Sequence, residues 1–309
     1  ATTSNAGGRY QIIRYQGNTS TLYTWNGSAY AATITPSTNP RIVTFIQDGS
    51  TAQFFNNGSA LTSGTVNNQT YKLFEIIIAD DGSTQSTFNL IKKLTNEVFY
   101  PIIHVWHEDN GFRLAAIRNK SISMAQSAYI IQIDGDIILD QHFIEDHLSI
   151  RTAGSFVTGS RLLLGKKITE VLLESEKVNF AALRWQGKNF FNTLRIPFFM
   201  RLLQNHYKTK GKHLDYVKGC NMAFWKSDLY LVNGYDESFS GWGREDTDIC
   251  IRLLHAGVKK KFIKFGGVQY HLYHPLASRD QLDANDALIE QLKLNQISFC
   301  KQGLIKPEL

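Results

Sequence analysis

The stretch Phe74-Glu75-Ile76-Ile77-Ile78-Ala79-Asp80-Asp81-Gly82-Ser83 decides how the chain is read. A continuous apolar run that ends in acids and a glycine is the pattern of a strand buried on both faces and leading into a polar turn. A helix-like segment follows from Thr84 to Leu94. The pattern then recurs. Ala128–Ile133 reads as a second buried strand, with helix before it over Ser121–Ser127, and it ends in Asp134-Gly135-Asp136. Phe156–Ser160 reads as another strand and Lys261–Tyr270 as a late one. Glu245–Ala256 reads as a helix with Ile249, Leu253 and Ala256 on one face and Gly257 as its C-terminal cap. Strands alternating with helices predict an α/β fold. It has a mostly parallel sheet, flanking helices, and ligands at the carboxyl ends of the strands.

Upstream the text changes character. From Ala1 to Val66 the chain is dominated by Ser, Thr, Asn, Gln and Gly, and its charged residues are Arg9, Arg14, Arg41 and Asp48. Apolar clusters at Tyr10–Tyr15, Leu22–Trp25 and Arg41–Ile46 sit between turn signals, among them Asn26-Gly27 and Asn57-Gly58. This predicts a short β-rich, polar appendage over 1–40, followed by the α/β domain over 41–309. Gln47–Asn68 is too rich in Gly, Ser and Asn to read as a helix.

Composition narrows the function. The 309 residues are 43% hydrophobic and 19% charged, which is globular rather than disordered. A net charge of +6 is modest for this length and gives no reason to expect nucleic acid; it suits anionic small molecules or contact with an anionic membrane surface. Cys220, Cys250 and Cys300 have no metal-finger spacing and cannot all pair, which favours a reducing compartment. No apolar run approaches the ~18 residues of a spanning helix, and the polar start Ala1–Gly8 predicts no signal peptide. The expectation is a cytoplasmic protein, peripheral at the inner face of the membrane. The stretch Ile168–Tyr216 mixes apolar residues with Arg184, Lys188, Arg195, Arg201, Lys208, Lys210 and Lys212. It reads either as a helix-rich cover or as an interfacial surface for a membrane or a polyanionic acceptor.

Four acidic or histidine-bearing strings carry the chemistry, and each has a structural alternative. Asp80-Asp81-Gly82-Ser83 is a polar turn capping a helix, or a carboxylate for a nucleotide. Asp134-Gly135-Asp136 is an acidic turn, or a pair of oxygens for a hard divalent cation of the kind that neutralises a departing diphosphate. In Gly241-Trp242-Gly243-Arg244-Glu245-Asp246-Thr247-Asp248 the acids suit a helix N-terminus. A Trp between glycines is not explained that way and suits a sugar face. His271 and His274 are ordinary core histidines or ligands for a metal.

Taken in order, several strings resemble one family. They are Gln69 to Ser83, Arg118-Asn119-Lys120, Gln132-Ile133-Asp134-Gly135-Asp136, Lys218-Gly219-Cys220-Asn221-Met222-Ala223-Phe224, Gly234-Tyr235-Asp236-Glu237, Gly241 to Asp248, and His271 to Pro275. Together they resemble the inverting nucleotide-sugar glycosyltransferases of the GT-A fold, family two. The C-terminal half is similar to β-1,4-galactosyltransferases and polypeptide N-acetylgalactosaminyltransferases. The likeness covers about 67–305. It implies a Rossmann-like GT-A domain that moves a sugar from a UDP-sugar to a glycan or lipid-linked acceptor with Mn²⁺ or Mg²⁺. By the same resemblance Asp81 meets uracil, Arg118 the diphosphate or ribose, and Asp134 with Asp136 forms the metal-binding pair. His271 or His274 is the later metal ligand. Gly219 and Asn221 lie by the donor sugar, Trp242 supports the acceptor, and Asp246 is the general base with Glu245 beside it. The front departs from the family: no Thr/Ser-Tyr-Asn motif precedes Gln69, and Arg41–Ile46 stands where the first strand belongs. An impaired domain that binds glycan or serves assembly is the alternative reading.

Overall fold

The computed structural model describes residues 10–16, 19–25, 29–34, 69–98, 100–175, 179–239, 241–274 and 280–306, the first three segments as backbone only. The expected strand Arg41–Ile46, the segment Gln47–Asn68 and the turn Asn57-Gly58 lie outside the described residues. The chain divides into two compact units, Ala1–Asn39 and Pro40–Leu309. In the first, β1 (Tyr10–Gln16), β2 (Thr19–Trp25) and β3 (Ala29–Ile34) form an antiparallel meander. Trp25 pairs with Ala29 on either side of Asn26-Gly27-Ser28, where the Asn-Gly signal predicts a hairpin.

The second unit is α/β. β4 (Ile76–Asp80) pairs in parallel with β5 (Ile102–Trp106). Between them α1 (Gln85–Glu97) buries Thr87, Ile91 and Leu94, a spacing that keeps one face inward. The apolar run of β4 is continuous because both its faces are covered. Ile76 and Ile78 pack into a cluster with Ile91, Leu94, Tyr129, Ile131 and Phe143. Ile77 and Ala79 pack into another with Val105, Ile117, Ile130, Phe156, Phe224 and Leu253. β6 (Tyr129–Gln132) divides its side chains between the same two clusters. Each such fully buried Ile or Phe stabilises the fold by about 1.5–3 kcal/mol.

Strand direction departs from the sequence reading. A four-stranded sheet has the order β11 (Lys259–Phe262), β8 (Ser155–Thr158), β10 (Met222–Trp225), β6. β11 is parallel to β8, but β10 runs antiparallel to both β8 and β6, so the sheet is mixed. The chain reaches β10 through a long excursion rather than through one crossover helix, which frees it to enter from the opposite end. The excursion is the helix-rich cover. It contains α4 (Lys166–Ser175), α5 (Phe180–Leu183), α6 (Pro197–Leu203) and 3₁₀ turns at Phe190–Asn192 and Gly211–His213. α3 (Phe143–Ile150) precedes β8.

The late strand is two strands. After β11 the chain turns at Phe265 and Gly267, both at positive φ (62° and 54°), and continues as β12 (Gln269–His271). β12 lies between β7 (Ile137–Leu139), to which it is antiparallel, and β9 (Leu162–Leu163), to which it is parallel. The helix expected over Ser121–Ser127 is α2 (Leu114–Met124). Its buried face carries Arg118, Asn119 and Ser121 beside Leu114, Ala115, Ile117 and Ile122, while Met124 is exposed with Lys120 and Ser123, so polarity does not mark the phase of α2 in the sequence.

α8 (Glu245–His255) ends as its sequence predicts. Gly257 takes φ 84°, its N–H donates to Leu254 O and that of Val258 to Leu253 O, a Schellman closure. Within α8, Arg252 is fully buried, and its Nε donates to Asp248 Oδ2 at 2.9 Å while Nη1 donates to Val232 O at 2.5 Å. Removing one member of such a pair strands a buried charge. Asp248→Ala is therefore expected to lower stability by about 3–5 kcal/mol, measured by urea unfolding; a loss under about 1 kcal/mol would show that water reaches Arg252.

Candidate active site

The site is built around a guanidinium. Arg118 projects from α2 and is 2% exposed. Its Nη1 donates to Asp246 Oδ1 at 2.9 Å and to Glu245 Oε1 at 3.3 Å, and its Nη2 lies 3.6 Å from Asp134 Oδ1. The Tyr235 ring lies beneath it, 5.0 Å from centroid to guanidinium carbon. Burial alone would push Arg118 down; the surrounding acids, Asp246 foremost, outweigh it and hold the group charged. Arg118 is thus enclosed among the carboxylates of Asp134, Glu245 and Asp246.

Asp246 stands in the first turn of α8, where the helix dipole favours a carboxylate. Its Oδ1 accepts from Arg118 and from Gln132 Nε2 at 3.4 Å, and lies 3.5 Å from Tyr235 OH, whose proton goes to Gln132. Its Oδ2 faces Gly219, where an added Cβ would lie 2.0 Å from it. Gly219 O in turn accepts from Gln132 Nε2 at 2.9 Å. Glu245 is more deeply buried; burial and the charge of Asp246 push it up to about 7, against the pull of Arg118. Two adjacent acids are therefore separated by environment, Asp246 tied to a cation and Glu245 carrying a proton near neutrality.

Of the four expected metal ligands, three converge. Asp136 Oδ2 lies 3.4 Å from His271 Nε2 and 3.2 Å from His274 Nε2, and the ligand atoms of all three lie within 4.8 Å of one another. Asp134 turns instead to Arg118. The donor set fits a divalent cation. His271 Nδ1 donates to Leu272 O at 2.7 Å, so in the neutral ring Nε2 carries a lone pair aimed at a carboxylate. Burial pushes His271 down to about 4, which keeps the ring neutral. Asp136 Oδ1 is buried without a hydrogen-bond partner. Burial also pushes Asp136 up to about 6, against His274 and Arg161, and pushes Asp134 up to about 6, against Arg118. Such acids either hold protons or share a cation.

Arg161 is the residue that sequence reasoning missed. It follows β8, its charge acts on both Asp134 and Asp136, and its Nη1 donates to Cys220 Sγ at 3.4 Å. Its signal was its place two residues beyond Gly159, at the carboxyl end of a buried strand.

Asp81 and Asn221, both expected beside the donor, make internal hydrogen bonds. Asp81 Oδ1 meets His107 Nε2 and Oδ2 accepts the Arg113 backbone N–H at 2.8 Å, which leaves a side chain 2% exposed. It pins the loop after β5. Gly82, at φ 90°, allows the contact, since a Cβ there would lie 2.5 Å from Asp109 Cα. Asn221 is fully buried; its Nδ2 donates to Ser160 O and Gly267 O, and its Oδ1 meets His147 Nε2 at 2.9 Å. Burial pushes His147 down to about 4, so a neutral ring serves this network. Asn221 braces the wall beside Gly219.

Trp242 sits at the rim, 43% exposed. Gly241, Gly243 and Arg244 take φ of 65°, 104° and 82°. The loop is held by α9 (Leu282–Leu294): Asn285 Nδ2 donates to Gly243 O at 2.8 Å, and Arg244 Nε pairs with Asp286. An indole presented this way is outside the core, as expected for a group that meets a ligand.

These features coincide with a known family. Residues 62–218 match glycosyl transferase family 2, and residues 200–275 match the N-terminal domain of galactosyltransferase. The chain belongs to glycosyl transferase family 2. It is 25% identical over 211 residues to the validoxylamine A glucosyltransferase of Streptomyces hygroscopicus subsp. jinggangensis, covering 64% of this chain and 48% of that one. It is 25% identical over 224 residues to the chondroitin synthase of Pasteurella multocida, covering 68% of this chain and 23% of that protein. The chain thus spans half or less of the length of these relatives. The fold is that of S. aureus TarS, whose residues 1–349 in complex with UDP superpose with a TM-score of 0.56 at 11% identity, covering 82% of this chain and 66% of that one. The mannosyltransferase PcManGT from Pyrobaculum calidifontis, in complex with GDP-Man and Mn²⁺, gives a TM-score of 0.52 at 13% identity, covering 75% and 57%. This family-2 chain therefore has a GT-A fold, and the likeness to TarS reaches well beyond the catalytic strings.

Two outcomes follow from the acids of this family-2 site. Glu245→Gln replaces a carboxyl whose proton is held more tightly folded than unfolded. A pKa raised from 4.5 to about 7 makes stability fall as pH rises through that window, so the variant should gain in melting temperature over the parent at pH 8 and not at pH 4.5. Equal shifts at both pH values would place Glu245 in water. Gly219→Ala should fold, yet displace the Asp246 carboxylate; loss of turnover with an unchanged melting temperature is the expected result.

Proposed function

We propose that this protein transfers a sugar from a UDP-sugar to a hydroxyl of a glycan or lipid-linked acceptor, with inversion, in building a surface polysaccharide. The observation that carries the reading is Asp246, with one oxygen held by Arg118 and Gln132 and the other turned to Gly219. A carboxylate held by the N–H groups of Arg118 and Gln132 is oriented for proton transfer. Asp246 takes the proton of the acceptor hydroxyl. The oxygen attacks the anomeric carbon as the bond to UDP breaks on the opposite face, and the bonding pair leaves with the diphosphate. Arg161 lies at the same end of the sheet as the acids of Asp134-Gly135-Asp136 and supplies fixed positive charge there.

Asp136, His271 and His274 would hold Mn²⁺ or Mg²⁺, which when bound supplies positive charge against the developing negative charge of the leaving group. Trp242 offers its exposed indole to the acceptor sugar. The reading is supported by TarS structures titled as complexes with UDP and with UDP-GlcNAc, and by the Mn²⁺ of PcManGT. The intact acid cluster favours turnover over a domain that merely binds glycan.

The test is UDP release over a panel of donors, with and without Mn²⁺ and candidate acceptors. Asp246→Asn should lower kcat by about 10²–10⁴ with UDP-sugar affinity retained. Asp136→Ala should abolish the response to Mn²⁺. Full turnover of the parent in excess EDTA would reject the metal, and native turnover of Asp246→Asn would move the base elsewhere.

A further inference from the structure

The cover between β9 and β10 carries a surface that the transfer chemistry does not use. Trp185 is 77% exposed, Phe191 69%, Phe198 73% and Leu202 57%. Phe198, Arg201 and Leu202 lie at i, i+3 and i+4 on α6, a single face. Met200, on the other side of that helix, is buried and anchors it. The aromatic residues form two groups. The Trp185 ring stacks on Phe190 at 4.5 Å, Phe190 meets Phe191, and Phe198 meets Phe199, which meets Phe265. Lys264 Nζ bridges the two groups, donating to Phe191 O at 3.2 Å and lying 5.1 Å from the Phe265 ring. Exposed apolar clusters of this kind mark an interaction surface.

The charge of the segment says which kind. No Asp or Glu occurs between Lys177 and Leu214, while Lys and Arg recur throughout. Lys188, Arg201, Lys210 and Lys212 are exposed. Phenylalanine and leucine side chains offer nothing to sugar hydroxyls, which disfavours a polysaccharide, whereas aromatic and aliphatic groups rimmed by cations match the boundary of an anionic bilayer. The surface also adjoins the site, since Asn192 Nδ2 donates to Arg161 O at 3.1 Å.

We propose that this aromatic, acid-free face docks on the surface of an anionic lipid bilayer, inserting Trp185, Phe191 and Phe198. The docking needs no turnover; that it brings the cleft to a lipid-borne acceptor rests on the transfer reading above. The experiment sediments the full chain with vesicles of phosphatidylcholine alone and of phosphatidylcholine with phosphatidylglycerol, at low and high salt. UDP binding is titrated on the same samples.

Binding to the anionic vesicles, weakened by salt and reduced about tenfold or more by F198S/F199S, is the expected result. Both residues are exposed, so that variant should keep its melting temperature. Arg201→Glu should weaken binding to anionic vesicles about fivefold. Binding to neither vesicle, equal binding to both, or binding unchanged in F198S/F199S would overturn the proposal. Retention on dextran sulfate without vesicle binding would overturn it too, in favour of a polyanionic acceptor. Vesicle binding without UDP binding would support the docking and count against the transfer reading.

Discussion

A buried positive charge needs partners, and Arg118 obtains them from elements far apart in sequence. An unpaired guanidinium in this interior would be costly by several kcal/mol. Asp246 and Glu245 arrive from the first turn of α8 and Asp134 from the end of β6, so one charge draws the head of a late helix against an early helix and a strand end. The N-terminal dipole of α8 adds to the same attraction. Tyr235 and Gln132 complete the setting: Tyr235 OH donates to Gln132 Oε1 at 2.6 Å, and Gln132 Nε2 reaches both Gly219 O and Asp246. The geometry of the candidate base is therefore a consequence of satisfying one cation.

The same charge sorts the acids by role. Asp246 makes the shorter contact with Arg118 and is partly open, whereas Glu245 is buried and pushed up to about 7. On the other side, Asp134 is tied to Arg118 and Asp136 is left to the histidines. The string Asp-Gly-Asp is symmetrical as written but is divided in space, one acid facing the structural cation and the other facing two imidazoles. His271 contributes because its Nδ1 is committed to a backbone carbonyl, which leaves only Nε2 to meet a ligand.

What could be read in the sequence follows from how locally each feature is determined. β4 and β6 are legible because strands covered on both faces are apolar at every position. The end of α8 is legible because Gly257 alone settles it. α2 is displaced from its expected place because its buried face holds Arg118, Asn119 and Ser121 and its exposed face holds Met124, which blurs the apolar periodicity. β10 and its antiparallel direction depend on where a long excursion returns, which no local pattern encodes. At the site, the strings that carry Asp246, Asp136, His271 and Trp242 are legible. The internal hydrogen bonds of Asp81, Asn221 and Arg118 are not, because their partners are brought near only by the fold. Arg161 escaped notice for the complementary reason: its neighbours, Asp134 and Asp136, are adjacent only in the folded chain.

The rim is positioned by means different from those that position the acids. The acids stand on strand ends and on a helix terminus, where backbone hydrogen bonding fixes them. Trp242 stands on a turn whose flanking residues occupy positive φ, including a non-glycine, Arg244, at 82°. That conformation costs about 1–3 kcal/mol at a non-glycine residue and persists when the surroundings over-determine it. Here α9 supplies the determination, through Asn285 on the Gly243 carbonyl and Asp286 on the Arg244 guanidinium. Arg244 is thereby turned away from the acid cluster that follows it in sequence. Were it free to compete with Arg118 for Asp246 and Glu245, the carboxylates would have two alternative cations and no single orientation. The C-terminal helix thus acts on the site by withholding a charge, and the indole is displayed at the rim as part of the same arrangement.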